Sequence, residues 1–193
     1  LVANSRLSFH EVYTLLELVP PLTELSNRWP SIAKRMFADS VIQAWDSANL
    51  ASLFSFFLPA TAYDNLDGGT RYPPYIGMSP VKWKPVLYRL LTDKEVLNLF
   101  PADALILFGD ANDLPRGTTE YFYVYAVRNN PEVTNKYIKT ATPEIGMYKT
   151  PEILFKFDAA GSMRWEAMTR RNVGKPIAIC LNDKVVTAPN VIS

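Results

Sequence analysis

A chain of 193 residues, 48% of them hydrophobic, suits one domain with a large insertion or two small subdomains, and can bury a proper core. Its 20 Lys and Arg against 19 Asp and Glu leave a net charge of +1, balanced in both halves, without the clustered basic excess that a nucleic-acid footprint needs. Cys180 as the one cysteine rules out an internal disulfide, His10 as the one histidine argues against a hydrolase triad or a zinc site, and no stretch qualifies as a membrane span.

Residues 5–13 read as a strand, with Leu7, Phe9 and Glu11 on one face and Ser8, His10 and Val12 on the other. His10 is accordingly expected on the sheet surface. From Thr14 to about Phe37 the spacing is helical, and Pro20, Pro21 and Pro30 are expected to start new helices rather than sit inside old ones. Asp46 to Leu58 is another predicted helix. Thr61 to Pro80 has loop composition, with Asp64, Asp67, Gly68, Gly69, Pro73, Pro74 and Gly77 in close succession. The run Asp64–Gly69 has a faint likeness to a calcium loop but lacks the later bidentate Glu, so a plain Asx turn is expected and no metal site. Val81 to Leu91 suggests a helix, and Thr92 with Glu95 makes a predicted capping box for a short helix ending near Phe100. Ala104–Phe108 and Glu120–Val127 are strand-like.

The C-terminal region carries the densest local signals. A β-like run, Ile153, Leu154, Phe155 and Phe157, precedes Asp158, whose carboxylate is placed to cap a helix. Ala160, Met163, Ala167 and Met168 recur as one apolar stripe. Arg164, Arg170 and Arg171 crowd toward the helix C-terminus, and Asn172 with Gly174 supplies the turn that ends it. Ile177–Leu181 is a short apolar run, a strand covered on both faces or nearly so, with Cys180 as buried core. Asn182 and Asp183 can hold the positive-φ corners of a type I′ hairpin, Lys184–Thr187 returns, and Pro189 stops the strand. Gly174-Lys175 does not make a phosphate loop, because the earlier glycine is missing and a strand follows where a helix should. The local reading is one helix packed on one face of a small antiparallel sheet.

The order strand, D-x-x-G, aromatic-containing helix, T-x-x-N-x-G-K, I-A-I-x-L, hairpin and x-A-P resembles the first periplasmic domain of the SecD and fused SecDF protein-export membrane proteins. The matching positions are Asp158, Gly161, Trp165, Thr169, Asn172, Gly174, Lys175, Ile177 to Ile179, Leu181, Ala188 and Pro189. Upstream, Arg6–Tyr13, Leu99-Phe100-Pro101, Ala104–Phe108 and Tyr121–Val127 are similar to the fused SecDF proteins of Bacteroidetes-like bacteria. The family usually has Asp where Asn182 stands and often an aromatic where Val186 stands. The family's opening strand and its closing G-G and I-x-G stretch lack counterparts here, so the expectation is an excised fragment without its flanking membrane helices.

The resemblance implies an α+β fold: a ferredoxin-like base of antiparallel sheet with helices on one face, residues 1–13 and 119–193, interrupted by a mostly helical inserted head at 14–118. It implies the periplasmic domain of a bacterial inner-membrane protein that works with the SecYEG translocon and other Sec accessory subunits. Such a protein engages emerging preprotein and helps complete export driven by the proton-motive force; no catalysis, cofactor or nucleic-acid partner is expected. The contact surface is sought in the aromatic stretch Phe54, Phe56, Phe57, Tyr63, Tyr72 and Tyr75, whose phenylalanines core packing explains equally well. Peptide addition to an exposed strand edge is a second mode, and the same edges make a strand-mediated dimer of the isolated fragment plausible. The rival is a secreted ligand-binding or enzymatic domain sharing only a ferredoxin-like half, which predicts a deep pocket lined by convergent polar groups.

Overall fold

A computed structural model of the chain describes residues 5–37, 52–64, 68–110, 120–146, 149 and 151–192. Along these residues the elements run β1 (Leu7–Glu11), α1 (Leu15–Phe37), β2 (Leu58–Pro59), β3 (Tyr63–Asp64), β4 (Thr70–Arg71), β5 (Gly77–Pro80), α2 (Lys84–Leu91), α3 (Lys94–Leu97), β6 (Ala104–Asp110) and β7 (Tyr121–Arg128). They continue with β8 (Val133–Thr134), β9 (Ile138–Ile145), β10 (Pro151–Phe157), α4 (Ala159–Arg171), β11 (Ile177–Leu181) and β12 (Lys184–Thr187). The class is α+β, as expected. The chain divides into two units, residues 13–127 and residues 1–12 with 128–193.

In the unit 13–127, α1 is one continuous helix of 23 residues with Pro20, Pro21 and Pro30 inside it, against the expectation that each proline would begin a new helix. Each proline removes an N–H that would have bonded four residues back. The buried side chains explain why the helix continues: Leu18, Pro21, Leu25, Trp29, Ile32, Ala33, Met36 and Phe37 keep one unbroken helical phase through all three prolines. The helix starts with a capping box that the sequence reading placed elsewhere. The Thr14 backbone N–H donates to Glu17 at 2.8 Å while the Glu17 N–H reaches the Thr14 hydroxyl at 3.4 Å. At α3, by contrast, Asp93 is the cap, its carboxylate accepting from the Glu95 and Val96 N–H groups, and the Thr92 hydroxyl turns back to the Tyr88 carbonyl at 2.7 Å.

This unit is not the mostly helical block that was expected. It holds strands in the order β2-β5-β7-β6 and a separate β3-β4 ribbon. Residues 46–51 of the predicted helix 46–58 lie outside the described residues; its remainder is a single 3-10 turn at Leu53–Ser55, capped by Ser52, followed by β2. β5 was hidden by its loop-like composition, yet its glycine is demanded by packing. A Cβ on Gly77 would lie 2.3 Å from the Phe57 ring and 2.7 Å from the Leu58 carbonyl oxygen. The core gathers Trp29, Phe56 and Leu87 with Phe122, Val124 and Ala126 of β7, so α1 and α2 cover one face of this sheet. Trp29 meets Phe56 and Phe37 at ring-centroid distances of 5.2 and 6.2 Å.

In the unit formed by 1–12 and 128–193, β1 pairs antiparallel with β11 from Leu7↔Leu181 to Glu11↔Ile177, and the strand order is β12-β11-β1-β8. β9 and β10 form their own two-stranded ribbon, in register from Pro151↔Ile145 to Lys156↔Thr140, with a one-residue shift before Phe157↔Ile138. The core is small: Phe9, Val133, Met168 and Ile177, with Phe155, Phe157 and Trp165 packed against it. Phe9 sits at its centre, edge-on to Phe155, Phe157 and Trp165 at 5.8, 6.0 and 5.3 Å.

Three expectations for this unit need correction. α4 packs through Gly161, Trp165 and Met168, whereas Ala160, Met163 and Ala167 of the expected stripe face outward. Gly161 decides the face, since a Cβ there would sit 2.7 Å from the Tyr137 Cβ and 3.0 Å from its carbonyl oxygen; only this side of the helix can come so close. His10 is buried rather than on the sheet surface. Finally, the described residues of the unit hold one helix, where a ferredoxin-like layout has two. The hairpin stands as read, with Asn182 and Asp183 at φ of 51° and 63°, and Cys180 is buried.

Candidate functional site

The sequence Tyr-Phe-Tyr-Val-Tyr-Ala over 121–126 alternates, and a strand sends alternate residues to opposite faces. Phe122, Val124 and Ala126 enter the core of the unit 13–127, which directs Tyr121, Tyr123 and Tyr125 to the face away from α1 and α2. β5 adds Met78 opposite Tyr123 and Pro80 opposite Tyr121, and β2 places Leu58 opposite Met78, all on that same face. Tyr75, just before β5, stacks on Tyr123 with centroids 4.3 Å apart and planes 22° from parallel, and meets Tyr125 edge-on at 6.3 Å.

The result is an aromatic and thioether surface on one side of the sheet, with half-buried Tyr75, Tyr123 and Met78 and exposed Leu58. Burial, with smaller contributions from Tyr123 and Tyr63, pushes the Tyr75 phenol above its ordinary value, so it stays protonated and able to donate. Flat rings with polar tips can take apolar side chains and backbone amides alike, without demanding a particular sequence.

The six aromatic residues singled out by sequence separate. Phe56 and Phe57 are core side chains, 1% and 3% exposed, and are corrected from contact candidates to packing residues. Phe54 and Tyr63 are about half exposed, at 47% and 50%, Tyr72 is half-buried, and Tyr75 belongs to the tyrosine face. Tyr121, Tyr123 and Tyr125 were missed as candidates. Their period-two spacing was read as a strand, and it also carried the information that three tyrosines share a face.

No cluster of three or more metal-ligating side chains occurs among the described residues. Asp64 of the calcium-like run pairs in β3 with Thr70, and Asn65, Leu66 and Asp67 lie outside the described residues. An open groove of about 430 Å³ runs along the outer side of α4, lined by Met163, Glu166, Ala167, Arg170 and Arg171, but Arg170 is already paired with Glu166. No described helix is long and apolar enough to cross a membrane.

The residues of the C-terminal motif serve the backbone. Asp158 accepts the Gly161 N–H at 2.7 Å and caps α4; Thr169 returns its hydroxyl to the Trp165 carbonyl at 2.9 Å; Asn172 ends the helix and donates to the Met168 carbonyl at 2.8 Å. Gly174 takes φ of 78° and donates its N–H to Val191, while Lys175 exchanges backbone bonds with Asn172 and Val191. Half-buried Ala188 leads to Pro189, whose carbonyl accepts from Ile177 at 3.0 Å.

Comparison with known proteins falls on this same stretch. The family model for the SecDF P1 head subdomain matches residues 112–193. Over these residues the chain is similar to the SecD/SecDF proteins. Among similar curated proteins, the protein translocase subunit SecD of Rhodothermus marinus is 35% identical over 107 residues, covering 53% of this chain and 17% of that protein. SecD of Calditerrivibrio nitroreducens is 34% identical over 90 residues, covering 46% of this chain and 17% of that protein. The chain thus matches less than a fifth of the length of either relative. A solved structure of SecDF, a membrane component that enhances protein export, covers 96% of this chain and 80% of its own at 17% identity and a TM-score of 0.33. The SecDF P1 head model lies on 112–193, whereas the sequence reading gave the name head to 14–118.

Proposed function

We propose that this chain is the periplasmic portion of a SecD-type translocase subunit and that the tyrosine face of β5 and β7 engages preprotein as it emerges from SecYEG. The SecD relatives, which are protein translocase subunits, support the first half of this reading. The stacked Tyr75–Tyr123 pair beside Tyr125, Met78 and Leu58 supports the second. A client-tolerant binder needs area and adaptable polar tips rather than a shaped polar pocket, and a face of this composition has both. Coupling to the proton-motive force would belong to membrane parts of the whole protein, and the chain itself would catalyse nothing.

A photocrosslinker placed at Tyr75 or Tyr123 in the full-length protein should capture a translocating chain. Capture from the outward-facing Met163 position on α4 but from neither tyrosine would move the contact surface off the tyrosine face. The paired Tyr75→Ala and Tyr123→Ala changes should reduce export while leaving the fold intact.

A further inference from the structure

The 3-10 turn Val81–Trp83 runs directly into α2, and Val86, Leu87, Leu90 and Leu91 turn toward the core of the unit 13–127. The opposite stripe is Val81, Lys82, Pro85, Tyr88 and Arg89, all exposed, with Val81 at 40% and Tyr88 at 58%. Three cations of this segment lie against rings: Lys82 Nζ is 5.3 Å from the centre of Trp83, Lys84 Nζ 5.6 Å from Phe122, and the Arg89 guanidinium 5.5 Å from Phe37. None of the three pairs with a carboxylate among the described residues, whereas Arg28 and Arg35 of the same unit are neutralised by Glu24 and by Asp93 with Glu95. The Tyr88 ring continues the aromatic surface to Phe108 at 5.9 Å, which meets Phe122 at 5.7 Å.

A helix face that carries unneutralised cations around an apolar strip suits a partner that is anionic and has an apolar layer beneath its charge. We propose that this face of α2 docks on an anionic phospholipid surface, with Lys82, Lys84 and Arg89 at the phosphates and Val81, Pro85 and Tyr88 entering the headgroup layer. Two of the three cations are lysines, point charges that suit a field of mobile phosphates. Recognition of a fixed acidic peptide favours the N–H fork of arginine, and the one arginine here faces a ring. The cationic side chains lie along aromatic surface with their charged heads at its boundary, the arrangement long cationic side chains adopt at a membrane. Because α2 and the tyrosine face occupy opposite sides of the same sheet, docking through α2 leaves Tyr75 and Tyr123 turned away from the lipid and open to a client. The inference rests on the reading of the chain as part of a membrane-bound translocase subunit.

The test is co-sedimentation of this chain with vesicles of phosphatidylcholine alone or with about 30% phosphatidylglycerol. Binding should appear only on the anionic vesicles and fall away as salt rises from about 0.05 to about 0.5 M. Lys82→Gln, Lys84→Gln and Arg89→Gln together should weaken it by about tenfold or more. The matched set Lys136→Gln, Lys156→Gln and Arg164→Gln, also at exposed positions, should leave it nearly intact. A nitroxide on Tyr88→Cys should be immersed in the headgroup layer and one on Leu58→Cys should stay in water, a readout that holds even if the triple variant fails to fold. Equal binding to neutral vesicles, equal loss in both triple variants, or equal immersion of the two labels overturns the proposal, as does capture of soluble polyglutamate in place of vesicles. Photocrosslinking of a translocating chain at Tyr75 without vesicle binding would sink the lipid contact alone; vesicle binding without crosslinking would leave the lipid contact standing and remove the tyrosine face as the client surface.

Discussion

The two units reach stability by different means. The unit 13–127 buries a broad core in which Trp29, Phe56, Phe122 and the leucines of α1 and α2 share the load. The unit 1–12 with 128–193 gathers a smaller cluster around Phe9, Val133, Met168 and Ile177 and relies on particular backbone solutions: a cap at Asp158, a close approach at Gly161, a positive φ at Gly174. A broad apolar core tolerates substitution as long as volume and pattern are kept, whereas a cap or a glycine contact admits few replacements. That contrast accounts for the position of the SecDF match, on residues 112–193, where the recognisable residues do geometric work.

The largest expected effect tests whether the broad core holds its own unit. Trp29→Ala should cost about 3–5 kcal/mol, as for other large aromatic deletions. Amide exchange should then show lost protection at α1 and β7 while β11 stays protected; simultaneous loss in both units would erase the contrast. Gly161→Ala comes next, at about 1–3 kcal/mol, because its Cβ would meet Tyr137 backbone and Cβ atoms that cannot swing aside. Its companion Gly174→Ala meets open space and suffers only from its φ of 78°, so about 1–2 kcal/mol is expected by chemical denaturation. Asp158→Ala should cost about 1 kcal/mol, the typical value of an N-cap, seen as fraying of the first turn of α4.

The smallest effect is a pH slope. Burial, partly offset by the Arg128 carbonyl and Asp183, lowers the His10 pKa from its ordinary 6.5. Below that pH the unfolded chain takes up a proton that the folded chain refuses, so stability is flat with respect to His10 above 6.5 and declines as pH falls beneath it. Denaturation midpoints of the unaltered chain and of His10→Gln, compared between about pH 7.5 and about pH 5, should differ in this slope. Cys180, pushed up to about 12 by burial, should resist alkylation until the unit formed by 1–12 and 128–193 unfolds.

Legibility followed the same division. Asp158, the Asn182-Asp183 turn and buried Cys180 could be read directly, because caps, two-residue turns and short apolar runs obey local rules. The helical phase of 14–37 is legible too, but the three prolines argue locally for breaks that eight buried side chains in one register outweigh. β5 was unreadable in a stretch of Gly, Ser and Pro, since its strand character comes from neighbours on both sides. For α4 the stripe Ala160, Met163 and Ala167 looked apolar enough to be the core face, while the close contact of Gly161 with Tyr137 turned it outward. The candidate site was half legible: Tyr75 was named, but its stacking on Tyr123 joins residues nearly fifty positions apart, and nothing in either local sequence announces it.

By itself, the sequence determined the α+β class, the elements from β10 to β12, the family resemblance and the absence of a disulfide framework, all of which rest on neighbours in the chain or on composition. The tertiary structure alone decided that one helix continues through three prolines, that His10 is buried, which side of α4 is core, and that Tyr123 and Tyr125 of one strand meet Tyr75. Each of these depends on the burial of groups distant in sequence, and burial can outweigh a local preference of a few kcal/mol.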